Sequence, residues 1–247
     1  MAYRRRLEAL ITAMAKSMLL HIKAAAKARP IEIGVGAQDE SPVAALRDAM
    51  RRWGKRWIRR LNNASDDIAT AFANEHRRNL DGMFKRRLKE AGFTVAFEPT
   101  AGMAQVYRAV IAENVNLIKS IPQQFLKDVE SSVWQAVMTG GKLGALTSGI
   151  QRAYGVSFKR AAFIARDQSS KAKAVMEEQR RSELGIKEAV WMHSHAGKVP
   201  RPTHVAMNGK RYVIKAGMYD PAVKKNIWPG TEINCRCTSR AIIPALQ

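Results

Sequence analysis

The sequence predicts an α+β protein, with a mostly helical N-terminal region and a small C-terminal α+β module. Apolar residues recur every three or four positions through most of the first three quarters, which is typical of helices that bury one face. After Gly185 this spacing gives way to short β-prone runs separated by prolines, which favours strands and loops. We place a helical, basic region at residues 1–155 and the α+β module at residues 156–247.

The first two helices are predicted from apolar stripes. The stripe that begins at Tyr3 predicts a helix to about residue 29, and Pro30 ends it because proline cannot continue a helix. Residues 30–42 lack a stripe and are predicted to be a loop or short linker. A second helical region is predicted over residues 43–91. Ser65 within it leaves two alternatives open, either one kinked helix or two helices with Ser65 as a cap.

Two more helices are predicted before residue 142. Residues 93–99 alternate enough to form a short strand or an extended arm. Thr100 is a suitable N-cap for the helix that follows it, and Pro122 suits the first turn of a separate helix. The glycine pair at positions 140–141 is expected to end that second helix.

The rest of the chain is predicted to change from helix to short strands. A short helix is predicted over residues 143–153, and Ser157 is expected to cap a long helix that ends near Gly185. Beyond it the patterns predict one helical turn at residues 203–207 and short strands at 188–192, 211–214 and 238–243.

The net charge of the chain is strongly positive. Lys and Arg number 42 against 21 Asp and Glu, a formal net charge of +21. Such a field attracts polyanions by Coulomb attraction and counterion release, so double-stranded DNA is the partner that the charge predicts. The alternatives are that the charge keeps the protein soluble or matches an acidic protein partner.

The densest basic patch lies in the second predicted helix. Trp53 and Trp57 fall on its apolar stripe and are expected to pack into the core. The cations beside them are predicted to bind nucleic-acid phosphates without sequence preference: Arg51, Arg52, Lys55, Arg56, Arg59 and Arg60.

Cysteine content and hydropathy indicate a reducing compartment. Cys235 and Cys237 are the two cysteines of the chain, and positions so close in sequence cannot be bridged without severe strain. Charged residues interrupt the N-terminal region before an apolar stretch forms, so a secretory signal is not expected. No apolar run approaches the ~18–20 residues that cross a bilayer, so no membrane partner is expected.

The last fifth of the chain concentrates side chains that bind metals or form hydrogen bonds, including three of the five histidines. In order and spacing it resembles the C-terminal domain of the phage Mu F-like and SPP1 gp7-like minor head proteins. The resemblance covers roughly residues 150–240, and residues 165–175 resemble the helix that opens the family domain. The residues that carry it are Arg166, Trp191, His193, His195, Arg201, His204, Asn208, Gly209, Pro229, Gly230, Asn234, Cys235, Arg236 and Cys237.

The tripeptide 235–237 leaves two alternatives open. In an extended tripeptide, side chains two positions apart share a face, so the sulfurs of Cys235 and Cys237 can meet one zinc ion. His204 is the best third ligand, and His193 or His195 is expected to complete the set. The alternative is a hydrogen-bonded, partly buried knot without metal. The resemblance implies a metal site on these residue types.

A DNA-processing enzyme is the alternative function. His204, with Arg201 and Arg236, offers acid–base chemistry on a phosphodiester held by guanidinium groups. Residues 191–210 contain no Asp or Glu, which argues against metal-dependent nuclease activity. We therefore predict a binding protein, not an enzyme. The chain ends ten residues after Cys237, so no fused toxin domain is expected.

The resemblance implies a minor capsid, or head morphogenesis, protein of a tailed double-stranded DNA phage. It implies contact with portal or capsid proteins, several copies per particle, residence in the virion head and assembly in the host cytoplasm. From the positive net charge of the chain we also expect contact with the packaged DNA. A host nucleoid-like protein would share the charge but has no reason to carry the C-terminal motif.

Overall fold

The computed structural model describes residues 2–28, 42–138, 143–195 and 199–243. Four long helices come first, and a short helix and five short strands follow. None of the described helices combines the length and apolar character that crossing a membrane requires. In chain order the elements are α1 (Ala2–Ala28), α2 (Pro42–Glu90), α3 (Ala101–Met138), α4 (Leu143–Glu183), β1 (Glu188–Met192), α5 (Pro202–Met207), β2 (Arg211–Val213), β3 (Met218–Asp220), β4 (Lys225–Ile227) and β5 (Thr238–Ile242).

α1 and α2 lie where the apolar stripes predict helices. α2 also decides between the two alternatives that the sequence left open at Ser65. It continues through Ser65, so the two-helix alternative is wrong. The hydroxyl of Ser65 donates to the carbonyl of Asn62 at 2.8 Å, which satisfies this buried group inside the helix. The predicted loop at residues 30–42 lies outside the described residues except for Pro42, which begins α2.

Thr100 caps α3 as predicted, because its hydroxyl accepts the N–H of Met103 at 3.0 Å. The separate helix predicted to begin at Pro122 is wrong, because α3 continues through this proline. A proline inside a helix costs about 3 kcal/mol. Ile118 and Phe125 on either side of it are fully buried, and each such side chain contributes about 1.5–3 kcal/mol on burial. Tertiary packing therefore outweighs the local preference.

The predicted break between a short helix at residues 143–153 and a long helix capped by Ser157 is also wrong. Ser157 is not a cap but a buried residue inside α4, which runs through Gly155 without a break. A glycine weakens a helix by only about 1 kcal/mol relative to alanine, and the buried Ala153 and Ala161 pack on either side of it. Residues 93–99 form no strand, which leaves the extended arm of the two predicted alternatives. The glycine pair at 140–141 lies outside the described residues.

Contacts divide the chain into two units that are discontinuous in sequence. The first unit comprises Met1–Ala69 and Glu113–Ala165, and the second comprises Thr70–Ala112 and Arg166–Gln247. Each of α2, α3 and α4 contributes residues to both units. The predicted boundary between residues 155 and 156 concerns the family domain and stays a prediction.

The first unit has an apolar core between its helices. The ring of Trp53 lies 5.6 Å from that of Phe125 and 6.1 Å from that of Trp57, measured between centroids. Gly54 permits a close approach of α2 to α3, because a Cβ there would lie 2.7 Å from the side chain of Leu126. The predicted stripe of α1 is buried in this core except for Leu10, which is half-buried next to the buried Ile11. Its buried members are Tyr3, Leu7, Met14, Met18 and Ile22.

The second unit contains a three-stranded antiparallel sheet in the order β2-β1-β5. Its register places Trp191 of β1 opposite Ser239 of β5. The predicted strands and the helical turn at 203–207 are confirmed to within one residue at each end. The antiparallel pair β3–β4 was not predicted.

Arg181 ties the end of α4 to this sheet. Its side chain is 1% exposed, and its guanidinium donates to the carboxylate of Glu177 at 2.6 Å and to the carbonyl of Ser239 at 3.0 Å. The hydroxyl of Tyr212 donates to Glu178 at 2.8 Å, and burial raises the pKa of that carboxyl. A buried charged cluster thus fixes the sheet to the helix.

Candidate functional site

Three segments of the second unit bring the predicted metal ligands and one further acid together. His204 lies on α5, which begins at Pro202. Proline suits this position, because an N–H group at the start of a helix has no partner within the helix. Cys235 and Cys237 lie in the loop that leads into β5, and Asp220 ends β3. All four residues are buried.

The donor atoms of three of these residues have the spacing that one zinc ion requires. Sγ of Cys235 lies 3.4 Å from Nδ1 of His204, and Sγ of Cys237 lies 3.7 Å from the same nitrogen. The three donor atoms all lie within 4.8 Å of one another. Tetrahedral zinc, with Zn–S near 2.3 Å and Zn–N near 2.0 Å, separates sulfur from nitrogen by about 3.5 Å. We call these three residues the Cys–His cluster.

The surroundings of the two sulfurs favour a single thiolate. Hydrogen bonding from the Cys237 thiol, with help from the backbone N–H groups of Cys237 and Gly230, lowers the pKa of Cys235 to about 5 although burial opposes it. The interaction with Cys235, together with burial, raises the pKa of Cys237. A bound cation would compensate the second negative charge and allow both thiols to ionise.

Asp220 supplies the acid that the linear motif lacks. Its Oδ2 atom lies 3.4 Å from Nε2 of His204, and its Oδ1 atom accepts the N–H of Ala222 at 2.9 Å. A carboxylate behind a ligating histidine fixes the orientation of the ring and raises its basicity as a ligand. Residues 191–210 contain no Asp or Glu, but the site does contain an acid, because the fold brings Asp220 there from outside that segment.

The structure does not bring every predicted histidine into the cluster. Among the described residues, the group able to hold a metal consists of His204, Cys235 and Cys237. His193 borders the neighbouring cavity, and its ring packs edge-on against that of His195 with 4.4 Å between centroids. Both histidines follow the end of β1. A fourth ligand from either one stays a prediction.

Other residues of the predicted motif hold the loops around the cluster. The side-chain carbonyl of Asn208 accepts the N–H of His193 at 2.9 Å, and the N–H of Gly209 donates to the carbonyl of Trp191 at 2.8 Å. Trp191 is fully buried, and its ring packs edge-on against His204 with 5.3 Å between centroids. These contacts position α5 against the end of β1.

The loop before β5 depends on an acid that the sequence reasoning missed. Asn234 has a φ of 56° and Gly230 a φ of 92°, in the left-handed region. The carboxylate of Asp167 accepts the N–H of Asn234 and pairs with Lys171 at 3.2 Å. In the sequence, Asp167 directly follows the motif residue Arg166. That position is the one signal that could have identified Asp167 as a residue of the site.

A cavity of about 510 Å³ opens beside the Cys–His cluster. Three arginines line it, Arg166, Arg201 and Arg236, together with His193, Asn234 and the residues of the Cys–His cluster. The side chain of Arg201 is anchored because it donates to a backbone carbonyl at 2.8 Å. Among the described residues that line this cavity there is no carboxylate. We call it the arginine cavity.

The basic patch of α2 lies in the first unit as an exposed surface. Trp53 and Trp57 are buried, as predicted, and the guanidinium of Arg60 lies over the Trp57 ring at 4.9 Å. Asp48 is the one acid in residues 42–61 and lies 3.7 Å from Arg51. We call the exposed cations the α2 basic face: Arg51, Arg52, Lys55, Arg56, Arg59 and Arg60.

Fold and site together define a helix-rich protein that carries a small antiparallel sheet and a buried Cys–His cluster. Residues 127–240 match the model of the Phage Mu protein F like protein family, which confirms the predicted resemblance and includes both the cluster and the arginine cavity. An uncharacterized protein of Haemophilus influenzae is 37% identical over 139 residues, which are 56% of this chain and 29% of that relative. The chain thus spans less than a third of the relative's length. No solved structure matches the chain.

Proposed function

We propose that the chain is a minor capsid, or head morphogenesis, protein of a tailed double-stranded DNA phage or prophage. The observation that carries the proposal is the family match over residues 127–240. The net charge of +21 supports it, because a protein inside a phage head lies against densely packed DNA.

The family resemblance also supports a location in the virion. The protein acts in head assembly near the portal or on the inner capsid, in multiple copies, with portal or capsid proteins as partners. Assembly takes place in the host cytoplasm.

The α2 basic face is the DNA-contacting surface in this proposal. Its six cations are exposed, and a single acid lies among them. Arg and Lys side chains on one helical surface bind phosphates without reading bases, and each contact releases counterions from the duplex. Buried Trp53 and Trp57 hold the helix in place beneath these cations.

A zinc ion at the Cys–His cluster is the cofactor in this proposal. The donor set of two sulfurs and one imidazole suits zinc, and the observed separations of 3.4 and 3.7 Å bracket the ideal value. Zinc there would stabilise the loops that carry its ligands, since the energy of metal binding is also folding energy.

A metal-dependent nuclease is the alternative, because Asp220 places an acid beside His204. The carboxylate of Asp220 is 1% exposed and faces His204, and it is not among the described residues that line the arginine cavity. An acid in that position orients the imidazole and has no access to magnesium or a phosphodiester in solution. We therefore propose that the protein acts by binding and not by turnover.

Genetic complementation tests the proposal. A phage or prophage that lacks this gene should assemble fewer DNA-filled heads, and the chain supplied in trans should restore them and be recovered in purified particles. Replacing Arg201 or Arg236 should impair incorporation, whereas the exposed Arg240 is a matched control. Plasmid DNA incubated with the protein and divalent metals should stay intact. Nicking that disappears in His204→Ala would establish the nuclease instead.

A further inference from the structure

We propose that the arginine cavity binds a phosphate monoester group. This goes beyond the proposed function, which assigns DNA contact to the α2 basic face in the first unit. The inference rests on three arginines that line one cavity of about 510 Å³ in the second unit.

Three separate segments of the chain supply these arginines. Arg166 comes from α4, Arg201 directly precedes α5, and Arg236 lies between the two cysteines of the cluster. Like charges brought to one cavity repel one another, and an anion placed between them removes that cost. The fold therefore concentrates positive potential at a concave point, where such a field is focused most strongly.

The chemistry of the lining selects an oxoanion. The described lining contains three arginines and no carboxylate, its acidic groups being the two buried thiols of the Cys–His cluster. His193, Ser194 and Asn234 offer further polar atoms. Arginine presents its N–H groups as a planar fork that matches the oxygens of a phosphate. Arg201, fixed by its bond to the carbonyl of Ile233, holds one such fork in place.

A monoester fits this cavity better than a phosphate within a DNA backbone. A monoester presents three terminal oxygens and a charge of about −1.5 to −2 at neutral pH, one oxygen for each guanidinium. A backbone diester carries one charge and lies along the convex surface of the duplex. The ligand is therefore free phosphate or the terminal phosphate of a DNA strand, and both present the same chemistry.

Calorimetric titration of the full chain with inorganic phosphate, at constant ionic strength, is the first test. Arg166→Ala and Arg236→Ala should each weaken binding by about tenfold or more, as expected for a lost charge-assisted hydrogen bond. Arg201→Lys keeps the charge but removes the fork, so it should also weaken binding. Arg211→Ala and Arg240→Ala remove exposed charges of the same unit outside the described lining and should leave it unchanged.

A second arm identifies the source of the phosphate. Two single-stranded oligonucleotides of one sequence are compared, one with a 5′-phosphate and one with a 5′-hydroxyl. Preference for the phosphorylated strand that is lost in Arg236→Ala identifies a DNA terminus, and phosphate binding without that preference identifies free phosphate. Absence of saturable phosphate binding, or equal loss in the control variants, overturns the inference. The variants of Arg166, Arg201 and Arg236 should bind plasmid duplex as the wild type does. Loss of phosphate binding in the arginine cavity is thereby distinguished from loss of duplex binding at the α2 basic face.

Discussion

The Nε2 atom of His204 lies 3.4 Å from the Oδ2 atom of Asp220, so a buried carboxylate holds the imidazole from behind. The other ring nitrogen, Nδ1, faces the sulfurs of Cys235 and Cys237. A proton on Nε2, on the side of this carboxylate, would leave the lone pair of Nδ1 toward the sulfurs. The ligand nitrogen is thus oriented by the fold itself.

We expect the protein to carry about one zinc ion per chain when purified without chelator. Cys235→Ser, Cys237→Ser and His204→Ala should each lose the metal, because each removes a ligand. The free energy of unfolding should then fall by considerably more than the ~1–3 kcal/mol expected for a thiol that is only packed. Elemental analysis and denaturant unfolding measure the two effects.

Histidine variants outside the cluster provide the controls for the zinc measurement. His21→Ala, in the first unit, should retain the metal. His193→Ala and His195→Ala decide whether either histidine is the fourth ligand. A metal-free protein whose double Cys→Ser variant unfolds like the wild type would contradict both the zinc site and the hydrogen-bonded knot.

Asp220→Asn should weaken zinc binding by about 10- to 100-fold, the usual effect of removing a carboxylate behind a ligating histidine. The substitution keeps the shape of the side chain, so packing around His204 should change little. Competition with a chromophoric chelator measures the affinity, and Asp67→Asn on the exposed surface of α2 is the matched control. An unchanged affinity would mean that Asp220 only fills space.

His204, Cys235 and Cys237 were predictable from the sequence because the two cysteines lie two positions apart, which puts them on one face of an extended tripeptide, and the histidine lies in a predicted helical turn. Asp220 was not predictable. It ends a strand of three residues, Met218–Asp220, which is too short to produce a periodic pattern, and its neighbour His204 belongs to another element. No local signal in the sequence links the two.

The helix boundaries show a different limit of sequence reasoning. Pro122 and Gly155 carry strong local signals for a break, worth about 1–3 kcal/mol each. Each lies inside a helix whose apolar residues are buried on both sides, and that burial is worth more. Local signals predicted the cap at Thr100 correctly, because no competing burial acts at that position.

Replacing Arg52, Arg56 and Arg59 by Ala should weaken binding to two unrelated DNA duplexes equally. The slope of log affinity against log salt should become shallower by about one unit for each lost phosphate contact. Fluorescence anisotropy over a salt series measures both quantities. The matched control replaces Arg211, Lys215 and Arg240, which are exposed in the second unit. Equal loss in both triple variants would assign binding to net charge and not to the α2 basic face.

His76 should make the protein sensitive to acid. Its Nδ1 donates to the carbonyl of Phe72 at 3.1 Å, and burial lowers the pKa of the imidazole. Stability from a group with a depressed pKa is present above its unfolded value of about 6.5 and is lost as the pH falls through the folded value. Urea midpoints at about pH 7 and about pH 5 should therefore differ more for the wild type than for His76→Gln. A larger difference in the variant would contradict this assignment.

The contacts of Arg181 restrict where the gene of this protein can recombine with a related gene and still encode a chain that folds. A breakpoint between α4 and β1 would separate the guanidinium from the carbonyl of Ser239 and the carboxylate of Glu178 from the hydroxyl of Tyr212, and each buried group left without its partner costs about 1–3 kcal/mol. Gene exchange at that point would yield chains that fold poorly. The last turns of α4 and the sheet are therefore inherited as one piece, and viable exchanges should fall before Glu177.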